Sequence, residues 1–152
     1  MNGIHIRRAT FEDLPAIVAL LADDPLGAQR EDASLPLAQS YIAAFRAIEA
    51  DSNQLLAVVI EQDRVIGTLQ LTFIPGIARK GAWRGQIEAV RVASDRRDRG
   101  LGRQIFAWAI AECEKRGCRL VQLTTDRSRT DAHRFYDQLG FEPSHIGYKR
   151  AL

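Results

Sequence analysis

The chain has 152 residues, enough for one domain with a sizeable core and too few for two ordinary ones. Hydrophobic residues make up 46% and charged residues 26%, which excludes a disordered chain, and no apolar run approaches the roughly 18 residues that a membrane span needs. A net charge of +2 excludes wholesale electrostatic binding of nucleic acid, and Cys113 and Cys118 form neither a disulfide framework nor a metal-ligand spacing, so no metal site is expected.

In chain order, His5 to Ala9 reads as a first strand. Thr10 lies three residues before Asp13, a capping-box spacing, and Leu14, Ile17, Val18 and Leu21 continue as a helix to about Ala22. The polar stretch from Leu26 to Leu35 reads as irregular. A second helix is expected from Pro36 to Ala50. Leu55 to Ile60 and Val65 to Phe73 are β-branched, apolar runs that predict a hairpin. Ile74 to Gly85 holds Pro75, Gly76 and Gly81 and reads as a surface loop, followed by a strand from Gln86 to Val92. The spacing of Leu101, Ile105, Ala109 and Cys113 predicts an amphipathic helix from Gly100 to Arg116, stopped by Gly117. A strand from Arg119 to Thr125, a short helix carrying Ala132, Phe135, Tyr136 and Leu139, and one or two strands within Phe141 to Lys149 complete the chain. The expected architecture is a single α/β domain over residues 1–152, with a mixed central sheet of about six or seven strands flanked by four helices. The first residues, MNGIHIRRAT, lack the apolar stretch of a secretory signal, which makes a cytoplasmic location the expectation.

Charge is concentrated in one place. Between Arg91 and Arg103 stand five arginines (Arg91, Arg96, Arg97, Arg99, Arg103) against Asp95 and Asp98. The glycines of Arg97-Asp98-Arg99-Gly100-Leu101-Gly102 let backbone approach a ligand. The helix that follows offers unpaired N–H groups and the positive end of its dipole. That is an anion cradle with arginines at its rim, suited to a compact phosphorylated ligand. No Gly-Lys-Ser/Thr follows, so it is not a Walker loop.

The segment Arg97-x-x-Gly100-x-Gly102 after Ile87-Glu88-Ala89-Val90-Arg91-Val92 resembles the acetyl-CoA signature of the GNAT N-acetyltransferase superfamily. Phe135-Tyr136-x-x-x-Gly140-Phe141 resembles its second signature, and Asp131 to Tyr136 with Ser144-His145 is similar to the aminoalkylphosphonate N-acetyltransferases. The resemblance implies acetyl-CoA as co-substrate and a GNAT-like fold. The strand before the turn would splay from its neighbour, with pantetheine in the gap. Backbone near Val90, Arg91 and Val92 would meet the pantetheine. The N–H groups of Arg97, Asp98, Arg99, Gly100, Leu101, Gly102 and Arg103 would hold the pyrophosphate. Many members carry Asn where this chain has Arg129, so Arg129 is expected to reach a phosphate instead.

Acetyl transfer needs a base to deprotonate the amine and an acid for the departing thiolate. Glu88 is the candidate base and Tyr136 the candidate acid, with His133 and His145 as minor candidates. The implied function is N-acetylation of the primary amine of a small molecule by direct transfer, with no nucleic-acid or membrane partner and a possible homodimer. Acetylation of a protein or peptide, and a non-catalytic coenzyme-binding sensor, are the competing readings. The acceptor is expected against Leu26 to Leu35 and Ile74 to Gly85, where Glu31, Asp32, Arg79, Lys80, Trp83 and Arg84 stand.

Overall fold

The computed structural model describes residues 3–152. Five strands form one sheet in sequential order: β1 (Ile4–Arg8), β2 (Gln54–Glu61), β3 (Arg64–Ile74), β4 (Arg84–Val92) and β5 (Leu120–Gln122). The first four are antiparallel neighbours, and β5 joins β4 in parallel. Four helices of nine residues or more flank it: α1 (Leu14–Ala22), α2 (Gln39–Ala50), α3 (Leu101–Lys115) and α4 (Thr130–Gln138). Single turns at Gly27–Arg30 and Ala78–Gly81 interrupt the two segments read as irregular.

The α/β class and the four flanking helices agree with the sequence reading; the strand count does not. The sheet has five strands rather than six or seven. The residues from Phe141 to Lys149 form no strand, because their backbone groups make no ladder with a neighbour. The expected strand Arg119 to Thr125 is paired only from Leu120 to Gln122.

Alternation along the strands divides the core in two. Ala57, Val59, Leu69, Leu71, Phe73 and Ile87 face α3, where Ile105, Phe106, Ala109 and Cys113 are buried. Leu56, Val58 and Ile60 face α1 and α2, against Leu14, Ile17, Val18 and Phe45. The entry to α1 is fixed by Asp13, which is 7% exposed. It accepts from the Thr10 N–H at 2.8 Å and pairs with both terminal nitrogens of Arg7 at 2.6 and 3.0 Å. Burial alone would raise its pKa, but the Arg7 bonds and charge and the Thr10 N–H outweigh that and hold it below the usual value.

Two departures from regular pairing shape the functional end of the sheet. Gln70 faces Glu88 and Thr68 faces Arg91, so Ala89 and Val90 together oppose Leu69 in a bulge, with Ala89 at φ 53°. On the other side of β4, β5 pairs only with Arg84, Gly85 and Gln86. From Ile87 onward that edge of β4 has no strand beside it among the described residues.

Candidate active site

The turn after β4 runs through a short 3-10 segment, Ser94–Arg96, into α3. Gly100 caps the helix at φ 75°, and a Cβ built there would meet nothing within 4 Å. The space beside the backbone at Gly100 is therefore free, as an anion cradle at a helix start requires. Gly102 is small for a different reason: its Cβ would lie 3.2 Å from Cζ of Phe135 on α4. It sets how closely the two helices approach.

The arginines of the turn divide into tethers and free cations. Arg97 donates from Nη2 to the Asp23 carbonyl at 3.0 Å and from Nε to the Val92 carbonyl at 3.2 Å, which ties the turn to the end of α1. Arg103 donates to Gln138 Oε1 at 2.8 Å and ties α3 to α4. Arg96 is paired with Glu61 at 2.7 Å. Arg99 is exposed and has no hydrogen-bonding partner among the described residues. Asp98 stands at φ 62° in the same exposed turn.

Glu88 lies on β4 immediately before the bulge, exposed, with its Oε1 3.4 Å from the Thr72 hydroxyl oxygen. It is not paired with Arg91. That arginine, 18% exposed, places Nε 2.8 Å from Asp24 Oδ2 in the loop after α1. The approach is an ion pair by distance, and the Nε–H is not aligned for a hydrogen bond. Asp24 also accepts from the Gly27 N–H. Burial would raise the Asp24 pKa; the Gly27 N–H and the charges of Arg91 and Arg129 together hold it low. Asp24 carried no signal in the sequence beyond its place in Asp23-Asp24-Pro25. Its role as a bridge from the α1 loop to β4 depends on a contact across 67 positions.

Tyr136 sits on α4 in an aromatic cluster, with ring centroids 5.6 Å from Phe106, 5.6 Å from Phe135 and 6.2 Å from Phe141. Burial raises its pKa, and the positive charges of Arg129 and Arg91 pull it part of the way back. Val90 and Val92, on the free edge of β4, pack against the same core as Tyr136. Arg129 occupies the position before α4, exposed, close enough for its charge to act on both Asp24 and Tyr136. His133 bonds to the Asp126 carbonyl and His145 to the Ser144 hydroxyl, both locally on the surface.

Cys113 is fully buried beneath Gly85, and burial pushes its thiol up to about 12. Such a thiol is inert at neutral pH. In the Leu26 to Leu35 segment, Glu31 accepts from the Tyr41 hydroxyl at 2.7 Å, and that oxygen accepts from the Asp32 N–H at 3.0 Å. These contacts hold the segment on α2. Arg79 and Lys80, at φ 56° and 62°, lie in the exposed turn before β4.

The chain matches the model of the Acetyltransferase (GNAT) family over residues 15–141. It is 30% identical over 152 residues to the aminoalkylphosphonate N-acetyltransferase of Salmonella typhimurium, covering all of this chain and 94% of that protein. Among solved structures, one from Bacillus halodurans C-125, described as a transcriptional regulator, is 47% identical with a TM-score of 0.95, over 98% of this chain and 99% of that one. A protein of Clostridium acetobutylicum described as a predicted acetyltransferase with acetyl-CoA shares the fold at 16% identity and a TM-score of 0.76. That match spans 97% of this chain and 96% of the other.

Proposed function

The chain belongs to the acetyltransferase (GNAT) family and is an acetyl-CoA-dependent N-acetyltransferase; on that premise we propose that its acceptor is the primary amine of a small molecule, with Glu88 as general base and Tyr136 as general acid. The observation that carries this reading is the edge of β4. Among the described residues that edge lacks a strand partner from Ile87 to Val92, while Glu88 lies before the bulge and Tyr136, like Val90 and Val92, packs against the α3 side of the core. The free space beside Gly100 at the start of α3 fits a pyrophosphate at the end of that gap. Arg99 and Arg129 are the cations left to add charge there.

Acetyl-CoA supplies an acetyl group activated as a thioester. An alkyl ammonium with a pKa near ~10 must lose a proton before it can attack. Glu88 takes that proton, directly or through a water, and solvent access to its carboxylate lets the proton leave. Tyr136 gives its phenolic proton to the sulfur as the C–S bond breaks. Its raised pKa keeps the phenol protonated through the neutral range, the form an acid must have. Transfer is direct, supported by the burial and high pKa of Cys113, which make it unsuited to carry the acetyl group.

Relatedness to an aminoalkylphosphonate N-acetyltransferase supports a small amine over a protein N-terminus. Free-thiol release from acetyl-CoA, measured over small amines and peptides, tests the reading. With Tyr136→Phe, turnover is expected to fall by about 10²-fold or more while coenzyme binding stays near normal. Unchanged turnover removes Tyr136 from its role. The description of the Bacillus halodurans relative favours a second reading, in which the domain acts on transcription. DNA affinity that survives saturating coenzyme A would select it.

A further inference from the structure

The face of the sheet that carries Glu88 is polar over the stretch that α1 and α2 leave uncovered. Gln54, Thr72, Gln86 and Gln122 stand in register across β2, β3, β4 and β5, and Gln70 faces Glu88 one step along. All five are half-buried and none is charged. A sheet face exposed only for solvation is ordinarily populated by charged residues as well. Here the side chains bond to one another. Gln70 and the Thr72 hydroxyl both donate to Gln54 Oε1 at 3.0 Å, and Gln122 donates to Gln86 Oε1 at 2.7 Å.

The Gln86–Gln122 bond leaves a specific remainder. One amide of the pair uses a donor and the other an acceptor. Whichever way round the two amides are set, one NH2 group and one carbonyl of the pair remain without a hydrogen-bonding partner among the described residues. That combination matches a carboxamide or a hydroxyl, which both donate and accept. It matches an ionised phosphonate poorly, since such a group only accepts. Gln86 lies two residues before Glu88 on the same face of an extended strand, a separation of roughly 7 Å.

We propose that the Gln86–Gln122 pair is a specificity site for the acceptor, taking a neutral carboxamide or hydroxyl group roughly 7 Å from the amine held at Glu88. This inference rests on the reading of Glu88 as the base and names the acceptor class as an amino-amide or amino-alcohol. Both glutamines are positioned before the acceptor arrives, each held by the other, so little side-chain entropy is lost on binding.

Three amines of similar reach separate the outcomes: 4-aminobutanamide, the shape-matched hydrocarbon 4-methylpentylamine, and 3-aminopropylphosphonate. Each is followed by thiol release with wild type, Gln86→Met and Gln122→Met, alongside melting and coenzyme A binding. The wild type is expected to favour the amide over the hydrocarbon in kcat/KM. Each Met variant is expected to reduce that ratio about three- to tenfold, the scale of one neutral hydrogen bond, with the KM for acetyl-CoA unmoved. Turnover with an amide-to-hydrocarbon ratio that neither variant changes overturns the proposal and leaves the base assignment standing. So does a preference for the phosphonate that survives both substitutions. Wild-type protein that binds coenzyme A but acetylates none of the three overturns the small-amine reading itself, and this inference with it. The two variants lie on different strands, so misfolding of one, seen in its melting, leaves the other to decide.

Discussion

On the sheet face toward α1 and α2, Leu56, Val58 and Ile60 are buried against Ile17, Val18 and Phe45, whereas Gln54, Gln70, Thr72, Gln86 and Gln122 on the same face stay half-open. Both groups belong to one continuous ladder, and Leu56 and Gln70 are direct cross-strand partners at the border. Where helices cover the face, apolar side chains gain from leaving water. Where nothing covers it, amides and hydroxyls satisfy one another and keep spare bonds for a ligand. The comparison separates what the sheet spends on folding from what it holds ready for chemistry. It predicts that substitutions on the two halves have opposite signatures.

The largest effect is expected at Glu88 on the open half. Glu88→Gln should lower kcat by about 10²- to 10⁴-fold while melting is unchanged, because the side chain is exposed and its contact with the Thr72 hydroxyl is 3.4 Å long. A variant that melts early with normal turnover would place Glu88 among the folding residues instead. Next comes Ile17→Ala on the covered half, where the side chain is 3% exposed. It should cost about 2–5 kcal/mol in denaturant unfolding, with turnover per folded molecule retained.

A smaller effect belongs to acid pH. Asp13 has a folded pKa below its unfolded value, so its contribution is present above about 3.9 and is lost as pH falls through the lower folded value. Asp13→Asn should flatten that acid limb of the stability profile; an identical profile would mean that Arg7 contributes nothing through it. The smallest change is expected from Gln54→Met on the open half, within about 0.5 kcal/mol of the wild type in stability. A loss of several times that would show the polar row to be structural after all.

The helix start at Gly100 was legible because it is local: a glycine before an amphipathic stripe marks where a helix begins wherever the chain goes. The helices were legible for the same reason, through the stripe of Leu101, Ile105, Ala109 and Cys113. What the arginines of that turn do was not. Arg97 and Arg103 carry the same charge as Arg99, yet their guanidinium groups are engaged with Asp23, Val92 and Gln138, contacts that depend on the packed chain. The two-motif pattern suggested small residues for the ligand, and did not show that a Cβ at Gly102 would also crowd Phe135. The strand pattern of Phe141 to Lys149 fitted β structure, but a strand exists only when a neighbour completes its ladder. The polar row across four strands was invisible for the reason that defines it, since Gln54, Thr72, Gln86 and Gln122 come together only in register.

The alanine at φ 53° has a consequence for parity. In an unbroken strand, residues 88 and 91 are an odd number of steps apart and face opposite sides of the sheet. The extra residue at Ala89 and Val90 changes the count by one, so Glu88 shares a face with Gln70 and Arg91 shares that same face with Thr68. A left-handed alanine costs roughly 1–2 kcal/mol. In return, the carboxylate on the open surface and the arginine that clasps the α1 loop through Asp24 are brought to one side of β4. Removing a single residue at the bulge would leave the two groups two steps apart and still on one face, whereas straightening the strand with the extra residue kept would send them to opposite faces.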